Sequence, residues 1–393
     1  MACVVGGLDY VQPLALAGIP CAVVEHQGAI VRYSRYVRER LPWADPLLEP
    51  ELFVQHLLTF GRAQTAAPVL YCGRDVDLLV VSRERDRLAT AFRFILPHHE
   101  LVDELVDKAK FRALAERLDL PVPRSRRLAA DASDAGGLDG LHWPLIIKPQ
   151  SRLDPAWDAF AAGAKAVEVG SLAELQAMRR RLDERSLDVV AQELVPGPET
   201  QVESYHVYVD PTHRIAGEFT GRKIRTYPQG YGHSTAVEIT DAPDVLASGR
   251  DIVGQLGLVG VAKLDFKRDP SGTLHLLEVN PRFTLWNLPA AVAGVNLPAL
   301  VYADLVGDPR PRSRLIRPGV AWCDPVPDRL AAREAGMPFH RWVTWVIRCE
   351  TRSSFNVRDP VPTIVGSVRR VITWLLRHPM RGSGLRRPAK GRP

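Results

Sequence analysis

One segment of the chain has the residue types and spacing to hold a metal ion. It reads Gly260-Val261-Ala262-Lys263-Leu264-Asp265-Phe266-Lys267, then a polar turn at Arg268-Asp269-Pro270-Ser271-Gly272, then Leu276-Leu277-Glu278-Val279-Asn280-Pro281-Arg282. Two strands joined by a tight turn are predicted. Side chains alternate along a strand, so Glu278, Asn280 and Arg282 point the same way if the strand continues. Pairing Lys267 with Leu274 brings Asp265 to that face, diagonal to Glu278. Two carboxylates and an amide oxygen then converge beside a guanidinium, a donor set suited to a hard cation such as Mg²⁺ against nucleotide phosphates. Solvated acidic residues beside a turn leave the same trace in a sequence.

The elements that must position these residues follow from length and pattern. At 393 residues the chain can form two or three compact units. Ala2-Cys3-Val4-Val5, Cys21 to Glu25 and Leu78-Leu79-Val80-Val81 are short apolar runs separated by amphipathic segments, which predicts alternating strands and helices around a parallel sheet. Gly6-Gly7 after the first run is not a dinucleotide fingerprint, because no G-x-G-x-x-G is present. A helix is expected over 100–120, with Val106, Phe111, Leu114, Ala115 and Leu118 on one face and Pro121 ending it. Further strands are expected at 143–149, 189–195, 202–209 and 215–219, and a helix at 171–184.

Composition is that of a globular protein. No apolar run approaches bilayer length, and no secretory signal is visible, so a cytoplasmic location is expected. The five cysteines, widely spaced, form neither a zinc pattern nor a disulfide framework. The net charge of +6 is unevenly distributed. No acidic residue follows Asp359, whereas eight cations run from Arg369 to Arg392, leaving the preceding body near −2. The folded body therefore gives no sign of nucleic-acid binding.

Several motifs, in this order, resemble the ATP-grasp superfamily, and in particular its carboxylate–amine ligase branch. They are Asp107-Lys108 opening a helix, Pro144-Leu145-Ile146-Ile147-Lys148-Pro149, Gln192-Glu193-Leu194-Val195-Pro196-Gly197-Pro198-Glu199, the basic segment Gly221 to His233, and the Asp265…Glu278-Val279-Asn280-Pro281-Arg282 hairpin. The resemblance implies that Lys108, Lys148 and Lys165 reach ATP phosphates. It implies that Gln192, Glu193 and Val195 form an adenine hinge, with Glu199 on the ribose. It also implies that Asp265, Glu278 and Asn280 hold Mg²⁺ (or Mn²⁺). Arg282 is the expected acyl-phosphate or carboxylate contact, and Lys223 and Arg225 are expected γ-phosphate or substrate contacts. The loop Ser151 to Trp157 departs from the glycine-rich form usual in the family. His206 and His233 are acid–base candidates, and His98-His99 is a weak metal pair.

The implied architecture is mixed α/β and α+β: a Rossmann-like unit over 1–100, a small ATP-grasp lobe over 101–186, a large lobe with the metal site over 187–308 and a C-terminal extension over 309–393. The implied reaction joins a small-molecule or peptide carboxylate to an amine through an acyl phosphate, releasing ADP and phosphate. A phosphotransferase acting on a hydroxyl, or a non-catalytic ATP-binding protein, would use the same residues. In the extension, Ile364, Val365, Val368, Val371, Ile372, Leu375 and Leu376 fall on one helical face with arginines around it. Such a face either packs on the body or lies on an anionic membrane surface.

Overall fold

The computed structural model describes residues 1–128, 138, 140–150, 155–161, 164–185, 187–312, 315–353 and 356–377, with residues 155 and 371–377 as backbone only. The first sheet is parallel. Strands β1 (Ala2–Val5), β2 (Cys21–Val24), β3 (Val37–Leu41) and β4 (Val69–Cys72) lie in the order β3-β2-β1-β4. Strands β1, β2 and β4 are buried at every position, as a parallel sheet covered on both faces requires. Leu78 to Val81, expected as a strand, belong instead to the helix Asp75–Arg83. A short apolar run does not distinguish the two states, and local chemistry decides here. The Arg74 guanidinium and backbone N–H both bond Asp77, starting the helix. The strand beside β1 is Val69-Leu70-Tyr71-Cys72.

The single helix expected over 100–120 is two, His99–Val106 and Lys108–Arg117. Asp107 is extended between them, and its carboxylate accepts the Ala109 and Lys110 amides at 2.9 Å each. That N-cap competes with a continuous helix and prevails.

A second sheet comprises β5 (Ser125–Leu128), β6 (Leu145–Pro149), β7 (Val167–Val169) and β8 (Val189–Glu193), antiparallel in the order β5-β8-β6-β7. The helix Leu172–Asp183, capped by Ser171, buries Leu175 and Leu182 against it. The expected boundary at 186/187 would cut this sheet, because β8 is an inner strand of it.

The third sheet holds β9 (Val202–Val209), β10 (Ile215–Tyr227), β11 (His233–Thr240), β12 (Gly260–Arg268), β13 (Leu274–Asn280), β14 (Ala321–Cys323) and β15 (Thr351–Arg352), in the order β13-β12-β9-β10-β11-β14-β15. Residues beyond 308 are therefore integral to this sheet rather than appended to it. The basic segment after Gly221 continues β10 as far as Tyr227. One hydrophobic cluster runs from Val4 and Tyr71 through Tyr208 and Phe219 to Trp286 and Trp322, so the first and third sheets share a core. Among the described residues, no single helix is long and apolar enough to cross a membrane.

Gly221 packs directly against that core. A Cβ there would lie 2.3 Å from the Trp286 ring and 2.9 Å from the Glu238 carbonyl oxygen. Gly221→Ala is expected to lower unfolding free energy by about 1–3 kcal/mol in chemical denaturation. Gly254→Ala, in a helix with nothing within 4 Å of the new methyl, is expected to leave it unchanged or raise it by up to about 1 kcal/mol.

Candidate active site

The β12–β13 hairpin is built around a bulge. Arg268 pairs with Leu274, Lys267 with His275 and Phe266 with Leu276. The register then shifts, and Asp265 pairs with Glu278, Leu264 with Val279 and Lys263 with Asn280. Lys267 therefore faces His275 rather than Leu274, and Asp265 lies directly opposite Glu278 rather than diagonal to it. The extra residue is Leu277, which breaks the alternation. Leu276 keeps to the core, while Leu277 and Glu278 both line the cleft.

That cleft lies between the second sheet and strands β9 to β13 and holds about 1450 Å³, part of it open to solvent. Lys108, Lys148, Lys223 and Lys267 line it from four separate elements, and Lys165 from the bend before β7. Gln192, Glu193, Val195 and Glu199 line it from β8 and the turn that follows, and Asp265, Glu278 and Asn280 from the hairpin. Lys148 Nζ donates to Gln192 Oε1 at 2.6 Å, so the β6 cation is held by the β8 amide. The Glu193 amide donates to the Arg124 carbonyl (2.9 Å) and the Leu194 amide to the Pro144 carbonyl (3.0 Å). The Glu193 carboxylate accepts from the His142 amide at 2.9 Å, so its side chain braces the hinge from outside. Glu199 accepts the Thr226 hydroxyl and, at 2.7 Å, the Tyr231 amide. Burial pushes the Glu199 carboxyl up, and Lys223, Lys165 and Lys267 oppose that shift.

Asp265 is 2% exposed and carries most of the local electrostatics. It accepts the Ser204 hydroxyl, takes Lys263 Nζ at 2.7 Å and has Lys223 Nζ at 3.9 Å. Burial pushes Lys263 down, and the Asp265 charge works against that. Asn280 Nδ2 donates to Glu278 Oε1 at 3.1 Å, which pins the two side chains together. Two carboxylates facing each other across one strand pair, with an amide oxygen beside them, make an all-oxygen donor set that fits a hard divalent cation.

Arg282 does not itself line the cleft. It is bound by Asp75, which does, and its Nη2 lies 3.5 Å from Asn280 Oδ1. Arg225 lies elsewhere. Its guanidinium makes two bonds to the buried Asp328, at 2.7 and 2.8 Å, and stacks over Trp345. The β10–β11 register shifts between Lys223 and Arg225, so Ile224 and Arg225 both turn toward the 321–349 segment. In regular alternation Lys223 and Arg225 would share a face, and the bulge separates them.

His206 is a core residue, stacked on Phe219 at 4.4 Å, and burial pushes it well below the usual imidazole range. His98 and His99 lie outside the cleft, and no group of three or more His, Cys, Asp or Glu gathers among the described residues. Ser151 to Asp154 and Gly163 lie outside the described residues. Sequence reading missed Lys263 and Lys267, although both share the Asp265 parity on β12. It also missed Asp75 and Ser204, whose approach is tertiary and has no local signal.

No family model matches the chain. A D-aspartate ligase of Enterococcus faecium (strain Aus0004) is 22% identical over 299 residues, 72% of this chain and 70% of that protein. A D-alanine–D-alanine ligase of Stutzerimonas stutzeri (strain A1501) is 26% identical over 210 residues, 51% of this chain and 64% of the relative. Among solved structures, the N5-carboxyaminoimidazole synthetase of Staphylococcus aureus superposes with TM-score 0.63 at 13% identity, covering 86% of this chain and 85% of that one. An L-amino acid ligase from Bacillus licheniformis superposes with TM-score 0.58 at 14% identity, covering 79% and 74%. The shared fold is that of the ATP-grasp proteins. The two curated relatives that resemble the chain in sequence are both amino-acid ligases.

The placements of Lys223 and Arg225 predict opposite phenotypes. Arg225→Ala strips a buried ion pair of one partner and is expected to cost about 3–5 kcal/mol of stability, read by denaturant unfolding. Lys223→Ala is expected to cost much less stability, because Lys263 still pairs Asp265, and to weaken ATP binding about tenfold or more in calorimetry. Asp75→Asn removes the charge that anchors Arg282. We expect kcat to fall about tenfold or more with ATP affinity little changed, and Asp75→Glu to restore part of the loss.

Proposed function

We propose that the cleft joins the carboxylate of one small molecule to the amine of another at the expense of ATP. The observation that carries the reading is the facing pair Asp265–Glu278, with Asn280, in a cleft lined by lysines from four elements. The ligase relatives set the reaction class. Because those relatives are named for D-aspartate and D-alanine, we propose a D-amino acid as one of the two partners, with a peptide or amino-acid derivative as the other. Free, buried cysteines fit a reducing cytoplasm.

The physical obstacle is that an anionic carboxylate must approach a polyanion. A divalent ion held by Asp265, Glu278 and Asn280 would supply neutralisation between them. Lys108, Lys148, Lys165 and Lys223 add fixed positive charge along the phosphate path. Ammonium groups act there as point charges that do not need one orientation. The substrate carboxylate oxygen attacks the γ-phosphorus, and the bond to the departing ADP oxygen breaks. The amine nitrogen then attacks the acyl carbon, phosphate leaves, and the amine proton passes to solvent or phosphate. Arg282, held by Asp75 behind the cleft wall, acts as a positioning residue that steadies Asn280 at the acceptor end. The second sheet, packed over the opening, restricts water that would otherwise hydrolyse the acyl phosphate.

The test is ADP and phosphate release with Mg²⁺–ATP, scanning D- and L-amino acids as carboxylate or amine in pairs. Release that needs both partners, together with a condensed product by mass spectrometry, is expected. Glu278→Ala is expected to lose at least about a hundredfold of that rate while remaining folded. ADP without phosphate, alongside a phosphorylated alcohol, would replace the ligase reading with a kinase. Failure to bind Mg²⁺–ATP at all would overturn both.

A further inference from the structure

We infer that the helix Val361–Arg377 is a docking surface for an anionic lipid bilayer. The cleft plays no part in this inference.

One side of the helix is fixed to the first sheet's surroundings. Asp359, just before it, accepts the Ser34 hydroxyl at 2.5 Å and the Arg35 amide at 3.0 Å. Gly366 faces Ile30, and Arg369 bonds the Gly28 carbonyl and the Tyr33 hydroxyl. The other side has no cover among the described residues. Val361, Ile364 and Val368 are 45%, 58% and 52% exposed, and they fall at i, i+3 and i+7, one row along the helix. Val357, a few residues earlier, is 78% exposed. Isolated exposed valines need no explanation, but a row of branched apolar residues on a helix already anchored by its other face does. The sequence continues with Val371, Ile372, Leu375 and Leu376.

Charge selects the occupant. No acidic residue follows Asp359, and eight cations lie between Arg369 and Arg392, set against a body near −2. An apolar row followed by clustered cations matches an interface with apolar depth and anionic headgroups. A second copy of the same surface would bring together two segments that carry no acidic residue after Asp359, like charge against like. Because no single described helix is long and apolar enough to cross a membrane, the contact is with its surface.

The test uses the full-length chain with sedimenting vesicles of phosphatidylcholine alone or mixed with phosphatidylglycerol, at low and high salt. We expect partitioning at least about tenfold greater onto the anionic vesicles at low salt, collapsing at high salt. Ile364→Ser with Val368→Ser is expected to reduce it about tenfold. Arg386→Glu with Arg387→Glu is expected to remove the preference for anionic lipid. Both variants alter exposed or C-terminal positions, so each should keep the wild-type melting midpoint. No enrichment over neutral vesicles would overturn the inference, as would binding indifferent to both variants. A solution dimer dissolved by the Ile364/Val368 change, with no vesicle binding, would assign the face to a second copy instead.

Discussion

A carboxylate nearly sealed from water needs compensation, and the cleft is arranged around the way Asp265 receives it. Leaving one buried charge unpaired costs several kcal/mol. Lys263 two residues before it, Ser204 across the β9–β12 pair and Lys223 from β10 each supply part of the balance. Three strands are thereby tied to one side chain. Those cations also lower the cost of bringing phosphates nearby, so the groups that stabilise Asp265 are of the sign that a nucleotide requires. The same arrangement limits Lys263: it cannot move far toward a ligand without releasing Asp265.

The second constraint is covalent geometry. A strand can present consecutive residues to one face only by breaking its own period. The hairpin does this at Leu277, and β10 does it at Ile224. The first break sets the two carboxylates opposite each other. The second sends Lys223 into the cleft and Arg225 to Asp328. Both are local irregularities of pairing, and both lie at the site.

These two breaks also mark the limit of what the chain discloses by itself. The order of motifs from Asp107 to Arg282 was legible, because each motif is local: a capped helix start, a strand ending in lysine, a Pro-Gly turn, a hairpin. The parity of Glu278 and Asn280 was legible for the same reason. The register across the turn was not, since nothing in Leu276-Leu277-Glu278 says which leucine is skipped. Leu78 to Val81 misled because four apolar residues suit helix or strand, and the Arg74–Asp77 contact decides. Asp75, more than two hundred residues from Arg282, leaves no trace in any window. The strands supplied from beyond residue 308 were hidden by their brevity, being three and two residues long.

The division of the hydrophobic interior has a consequence for how the molecule opens. The first and third sheets share one cluster, whereas the second sheet is packed on a cluster of its own, drawn from Leu145, Ile147, Trp157, Leu175, Leu187 and their neighbours. A unit with a private core can lose order without dragging down the rest. Amide protons in β6 and β8 should therefore exchange through a smaller opening than those in β1 or β9. A ligand gripping Lys148 and the β8 hinge from the far wall raises the free energy of that smaller opening by RT ln(1 + L/Kd), with L the free ligand concentration. For this lobe, occupancy is registered first as lifetime rather than as shape.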